Sequence, residues 1–342
     1  MSDVIRVLIV DDAPFMRRSL RGLLKDADGI EVVGEAVNGL EGVSRFLALR
    51  PDVVCLDVDM PEMDGITALK HIMSTRPTPV IIVSSLTDRD DVPFEAVRLG
   101  AMEFFPKPSS LSGSLADQTQ YLLYLLRNAR RVRTENLRRV PLTPRRAGAA
   151  PTPACRHVLA IGGSLGSTSA LIRMLSLLPP GGEAEVAILC QVPLHPAIRG
   201  SFADSVRNLL GWSVAEEAGD QALRAGTLYF VPHGHAASFD RQPLSFEACS
   251  QTCLDDTFRA VARRFREHAT LVLLAGDRSS GVSGLAAAAE EGSECFVQDE
   301  QSALFANWDP EPGTAIVLKN VDAIVDVVRE RLSRAPRLAV GS

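Results

Sequence analysis

The sequence predicts an α/β protein of two domains, each a doubly wound, mostly parallel sheet. Three observations carry this. Apolar, β-branched runs alternate with amphipathic segments from the first residues onward. The alternation stops in a stretch rich in Pro, Ala and Arg, TENLRRVPLTPRRAGAAPTPACR, and then restarts. The chain has 342 residues, enough for two cores of ordinary size.

In the first half, Ile5–Val10 (IRVLIV) is a continuous apolar run suited to a strand buried on both faces. A helical segment over 14–25 follows, then the strand EVVGEA, a helix over 39–49 and the strand VVCLDV. PVIIVSS and MEFFPK complete five strands, with helices over 65–75 and 92–99 between them. A helix with a basic end is expected over 114–133. The boundaries expected are a first domain over 1–124, a helix end and solvated linker over 125–155, and a second domain over 156–336. There the strands are HVLAIGG, EVAILCQVP, GTLYFVP, ATLVLLAG and CFVQD, with helices near 168–178, 199–209, 255–268, 281–291 and 321–334.

Composition narrows the function classes. Hydrophobic residues are 46%, charged residues 23% and the net charge is −6, the profile of a soluble globular protein with no general attraction to nucleic acid or membrane. No apolar run reaches the roughly 18 residues of a spanning helix, and the first residues lead into a strand, not a signal peptide. A cytoplasmic location is expected. The six cysteines at 55, 155, 190, 249, 253 and 295 lack zinc spacing and are expected to be free thiols. His233 and His235 form a close pair with no evident third metal ligand.

Two constellations carry chemistry. Ligands of a doubly wound sheet collect at the carboxyl ends of its strands, and those ends carry Asp11 and Asp12, Asp57, Ser84 and Lys107. Converging carboxylates repel unless a hard divalent cation, Mg²⁺, sits among them, and Lys107 and Ser84 can engage phosphoryl oxygens. The second is Gly162-Gly163-Ser164-Leu165-Gly166, a G-x-S-x-G between a strand and a helix. Such a turn can hold a nucleophilic serine, but it also binds phosphates or simply turns a corner in many α/β folds.

With VDDAPFMRR, LDVDMPEMDG, VSS and PKPS, residues 4–124 resemble response-regulator receiver domains. The resemblance implies that Asp57 accepts a phosphoryl group from a sensor histidine kinase of chemotaxis type. It makes Asp12, Asp57 and the main-chain carbonyl of Asp59 the Mg²⁺ ligands, with Asp11 and Lys107 in support. Ser84 and Phe104 would reposition when the phosphate arrives. With IGGSLGS, SFADSVRNLL, LRAGTLYFVPHGH, LDDTFRAVARRF and VQDEQSALF in order, the whole chain resembles the chemotaxis protein-glutamate methylesterases, the CheB family, which demethylate and often deamidate glutamyl side chains of chemoreceptors.

By that resemblance Ser164 is the nucleophile, yet its partners do not match. The family's His follows Gln at the end of the domain's second strand, where CQVPLHP places Val192. Its Asp lies in a Thr-Gly-Met-Gly-x-Asp-Gly loop, where AGDRSSG places Ser280. Its Arg-Pro and Gly-Met-Pro pieces become Gln251-Thr252 and Ala306-Asn307-Trp308. His195 and Asp277, each three residues away from the expected position, are candidate substitutes. The expectation is an output domain impaired in catalysis that acts by binding a partner; the alternative is an active methylesterase or deamidase.

Overall fold

The computed structural model describes residues 4–84, 91–107, 115–142, 155–180, 185–215, 223–240, 244–249, 253–274, 280–305 and 316–334. Contacts divide the chain into two units, Met1–Val140 and Pro141–Ser342.

The first unit runs β1 (Ile5–Val10), α1 (Pro14–Leu24), β2 (Ile30–Ala36), α2 (Gly39–Leu49), β3 (Val53–Asp57), α3 (Gly65–Thr75), β4 (Val80–Ser84), α4 (Val92–Arg98), β5 (Glu103–Pro106) and α5 (Leu115–Ala129). Its five strands pair in parallel in the order β2-β1-β3-β4-β5. The apolar runs form the central strands because both faces are covered: Val7, Leu8, Ile9, Val53, Val54, Leu56 and Ile82 are fully buried. Short polar side chains start α2 and α3. Asn38 accepts from Glu41 N at 2.8 Å and Asp64 from Thr67 N at 2.7 Å.

The chain beyond α5 departs from the expected linker. The helix ends at Ala129, not 133, and the next residues return to the first unit. A 3₁₀ turn at Thr134–Asn136 leads to Leu137 and Val140, both buried. Val140 N donates to Arg98 O at 2.8 Å, and Arg98 Nη1 donates back to Val140 O at 3.1 Å. Glu95 holds the same guanidinium through Arg98 Nε at 2.6 Å. The arginine-rich composition of this stretch masks the apolar spacing of Val132, Leu137 and Val140, which are buried.

The second unit runs β6 (His157–Gly163), α6 (Ser167–Leu177), β7 (Val186–Gln191), α7 (Pro196–Ser205), β8 (Ser213–Ala215), β9 (Thr227–Phe230), β10 (His235–Ser238), β11 (Ser245–Ala248), α8 (Cys253–Phe265), β12 (Ala269–Leu274), α9 (Val282–Glu290), β13 (Glu294–Gln298), β14 (Ile316–Lys319) and α10 (Val321–Arg334). Seven strands pair in parallel in the order β14-β13-β12-β6-β7-β9-β8, and β10 and β11 form a separate antiparallel hairpin. Both units are therefore α/β with doubly wound sheets.

Two further expectations change. The strands β8, β10, β11 and β14, each three or four residues long, were not among the expected strands. Cys249 and Cys253 are not free thiols: they form a disulfide between the end of β11 and the start of α8, with Cα atoms 5.6 Å apart. Cys55, Cys155, Cys190 and Cys295 are free, as expected. Among the described residues, no helix is long and apolar enough to cross a membrane.

Candidate functional site

In the first sheet β1 lies between β2 and β3, so the strand order reverses at its carboxyl end, where a crevice opens. Asp11 and Asp12 leave β1 there, Asp57 ends β3 and Lys107 follows β5. Asp11 and Asp57 are 1% and 2% exposed, whereas Asp12 faces solvent. The Lys107 ammonium lies 2.7 Å from Asp57 Oδ2 and 3.0 Å from Asp11 Oδ2. Val58 N donates to Asp57 Oδ1 and Ala13 N to Asp11 Oδ1, each at 2.8 Å.

Burial pushes the Asp57 carboxyl up to about 6, with Asp11 adding to the rise and Lys107 opposing it. Burial also works against the charge on Lys107, but its bonds to Asp57 and Asp11 outweigh it and hold its pKa above the usual range. The backbone beside Asp57 is tightly built. Gly65 N donates to Val58 O at 2.8 Å, and a Cβ on Gly65 would overlap the Asp57 carbonyl. Ser84 is buried at the end of β4 and its carbonyl accepts from Lys107 N at 3.0 Å. Phe104 is buried on β5, and Asp59 is exposed after β3.

This pocket fits a hard divalent cation. One oxygen from each of Asp11, Asp12 and Asp57 lies within 4.8 Å of the others. Asp11 Oδ2 and Asp57 Oδ2 are both buried and share the one Lys107 ammonium. One lysine does not neutralise three carboxylates, and all-oxygen donors suit Mg²⁺. Among the described residues, neither His233 nor His235 belongs to a cluster of three or more such ligands.

The second sheet has its own reversal at β6, which lies between β12 and β7. Ser164 leaves β6 at this point, and its carbonyl accepts from Ser167 N, the first residue of α6, at 3.0 Å. Gly166 turns the chain with φ +81°, and the side chain it lacks leaves room for Phe305. In the parallel register Gly162 faces Gln191, so Val192, half-buried, is the next residue past β7 beside the Ser164 turn. Gln191 Nε2 donates to His235 O at 3.0 Å, tying this edge to the β10–β11 hairpin.

His195 is half-buried just before α7, its carbonyl accepting from Ile198 N at 3.0 Å. Burial, with His233 nearby, holds its pKa below the ordinary imidazole value. Ser280 is half-buried in the turn before α9. Asp277, Gln251, Thr252 and 306–308 lie outside the described residues.

A family model matches within each unit. Residues 7–116 match the response regulator receiver domain and residues 159–329 match the CheB methylesterase family. A protein-glutamate methylesterase/protein-glutamine glutaminase of Anaeromyxobacter dehalogenans is 33% identical over 97% of this chain and 97% of its own. Another, of Xanthomonas campestris, is 31% identical over 96% of each chain. The chain belongs to the CheB family. The response regulator domain of Thermotoga maritima CheB is 44% identical, covers 38% of this chain and 98% of its own, and superposes with a TM-score of 0.35. The two family matches place a receiver domain before a methylesterase domain.

In this CheB-family chain two supporting residues, Arg17 and Asp255, carry no signal in the sequence. Arg17 Nη1 donates to the carbonyls of Asp11 (2.8 Å) and Asp12 (3.1 Å), and Arg17 Nε to Glu35 at 3.3 Å, which holds the acidic turn in place. Asp255 accepts from Gly281 N (3.2 Å), Gly284 N (2.6 Å) and Ser283 Oγ (2.8 Å), capping α9 from the neighbouring helix. Both residues sit in quoted motifs, VDDAPFMRR and LDDTFRAVARRF, but their partners lie 5 to 29 residues away, a separation no local pattern encodes.

Proposed function

We propose that this protein is a phosphorylated response regulator whose methylesterase-like domain is impaired in hydrolysis and signals by binding a partner. Asp57 accepts a phosphoryl group from the phosphohistidine of a chemotaxis-type kinase. Its buried Oδ1 is oriented by Val58 N, and Lys107 stands ready to pair with a phosphoryl oxygen. Asp12 and Asp57, with the carbonyl of Asp59 and with Asp11 in support, are the residues for Mg²⁺, which supplies charge neutralisation to the transferring group. Ser84 and Phe104 are the positions through which the added charge is read.

The observation that carries the impaired reading is Val192. It follows Gln191 past β7, beside the Ser164 turn, where a base has to stand, and an isopropyl group takes no proton. In a serine hydrolase, loss of the general base costs about a million-fold in kcat. A second reading rests on His195: a neutral, half-buried imidazole on the same loop, three residues further on, has the protonation state of a base. With Asp277 it would rebuild a triad and leave an active methylesterase or glutamine deamidase.

Methanol release from methylated chemoreceptor membranes, with and without a small phosphodonor, separates the two. The expected result is release no greater than that of Ser164→Ala while Asp57 is phosphorylated. Phosphodonor-stimulated release that disappears in both Ser164→Ala and His195→Ala overturns the impaired reading and supports the rebuilt triad.

A further inference from the structure

The six cysteines fall into two chemical groups. Burial pushes the Cys55 and Cys295 thiols up to about 12 and Cys155 up to about 11, and raises Cys190 as well, so at neutral pH these four hold little thiolate. Cys249 and Cys253 are the bonded pair and are half-buried.

The pair has access to solvent and a polar approach. Cys249 lines an open cavity of about 700 Å³ between the β10–β11 hairpin and α8, together with Asp240, Glu247, Arg259, Arg263 and Arg264. Asp256 lines the cavity too and pairs with Arg259 at 3.1 Å, while the exposed Arg263 and Arg264 guanidiniums suit the carboxylates of a small anionic disulfide. Cys253 is the first residue of α8, and a helix N-terminus favours a thiolate. The bond spans a sequence separation of four, so it closes too short a loop to act chiefly as a chain-entropy staple.

The bond also bears on the neighbouring backbone. Leu254, the residue after Cys253, packs against Gly162 of β6 and against Gly281, and Asp255 holds the Gly281 and Gly284 amides. The start of α8 therefore forms part of the wall behind the strand that delivers Ser164.

We propose that Cys249 and Cys253 are a reversible thiol–disulfide site, oxidised by an anionic low-molecular-weight disulfide, whose oxidised form holds the start of α8 against the Gly162 and Gly281 backbones. In the forward step the Cys249 thiolate attacks the small disulfide, breaking its S–S bond and releasing one small thiol. The Cys253 thiolate then attacks the mixed-disulfide sulfur of Cys249, releasing the second small thiol. Two protein thiols are oxidised and one small disulfide is reduced to two thiols, the protons passing from the protein thiols to those products. This site is independent of whether Ser164 performs hydrolysis.

The test uses the full-length chain, reduced and then equilibrated in buffers of varied reduced-to-oxidised glutathione ratio. Free thiols are trapped with iodoacetamide and located by peptide mass, and amide exchange is followed at Gly281 and Gly284. The expected result is joint loss of alkylation at Cys249 and Cys253, full reversal by excess reduced glutathione, and several-fold slower exchange of the two amides in the oxidised chain. Cys253→Ser is expected to stop at a glutathione adduct on Cys249 with the exchange rates of the reduced protein. If both cysteines stay alkylated at every ratio in a chain whose exchange pattern is native, the proposal fails. It fails equally if the pair forms without slowing the two amides.

Discussion

His157 shows a single residue whose titration is set by burial. It opens β6 at 8% exposure, its Nε2 lies 2.9 Å from Thr270 Oγ1, and Glu294 joins the same hydroxyl at 3.4 Å while pairing with Arg331. Burial, with Arg331 and His268 adding like charge, brings its pKa from 6.5 down to about 4. The unfolded chain therefore takes up a proton that the folded chain refuses. Stability contributed by the neutral ring is complete above pH ~6.5 and is lost as pH falls toward 4, a change of about 3 kcal/mol. Urea denaturation of the second unit between pH 7 and 4 is expected to show this loss, and His157→Gln to flatten it; an unchanged pH slope in the variant would count against the assignment. Gly65 is the steric counterpart. A methyl group there meets the Asp57 carbonyl, so Gly65→Ala is expected to destabilise the first unit by about 1–3 kcal/mol and to slow Asp57 phosphorylation. Wild-type denaturation and phosphorylation rates would contradict both.

At the scale of elements, α9 depends on a residue of α8 that lies 26 to 29 residues before the amides it holds. Asp255 on α8 supplies the cap that Gly281 cannot, and its loss leaves two buried amides without an acceptor. Asp255→Ala is expected to cost roughly 1–3 kcal/mol for each amide left unpaired, read as a lower denaturation midpoint with faster exchange at Gly281 and Gly284. Equal stability of the variant would show that water replaces the carboxylate. The long elements were legible because their residues repeat one environment: IRVLIV is buried on both sides, and Val321–Arg334 keeps a helical apolar stripe. The strands β8 and β14 have three and four residues, too few to display a period, and exist because β9 and β13 offer open edges. The strap ending at Val140 was hidden for another reason: its anchor, Arg98, lies 42 residues earlier.

For the whole molecule, each unit has its own sheet, and the two sites differ in how they are encoded. The acidic cluster in the first unit was legible in the sequence because each of its groups sits at or directly after a strand end, where backbone register brings the side chains together. The turn that carries Ser164 was legible as a glycine-lined strand-to-helix turn, whereas the candidate partners fall on loops, where a three-residue displacement separates Val192 from His195. Ligand linkage follows the same division. A cation that binds the folded Asp11–Asp12–Asp57 cluster stabilises the unit containing it by RT ln(1 + [L]/Kd), about 2.7 kcal/mol at a hundred times Kd. Mg²⁺ alone is therefore expected to slow amide exchange in β1 and β3, which carry the carboxylates, and to leave β6 and β12 unchanged. Asp12→Asn removes an exposed ligand without disturbing the buried Asp57–Lys107 pair, so it is expected to abolish most of the Mg²⁺ effect at unchanged basal stability. Equal Mg²⁺ protection in wild type and Asp12→Asn would move the cation to a different set of oxygens. Protection spreading to β6 and β12 would mean that cation binding alone, before any phosphoryl transfer, already reaches the methylesterase domain.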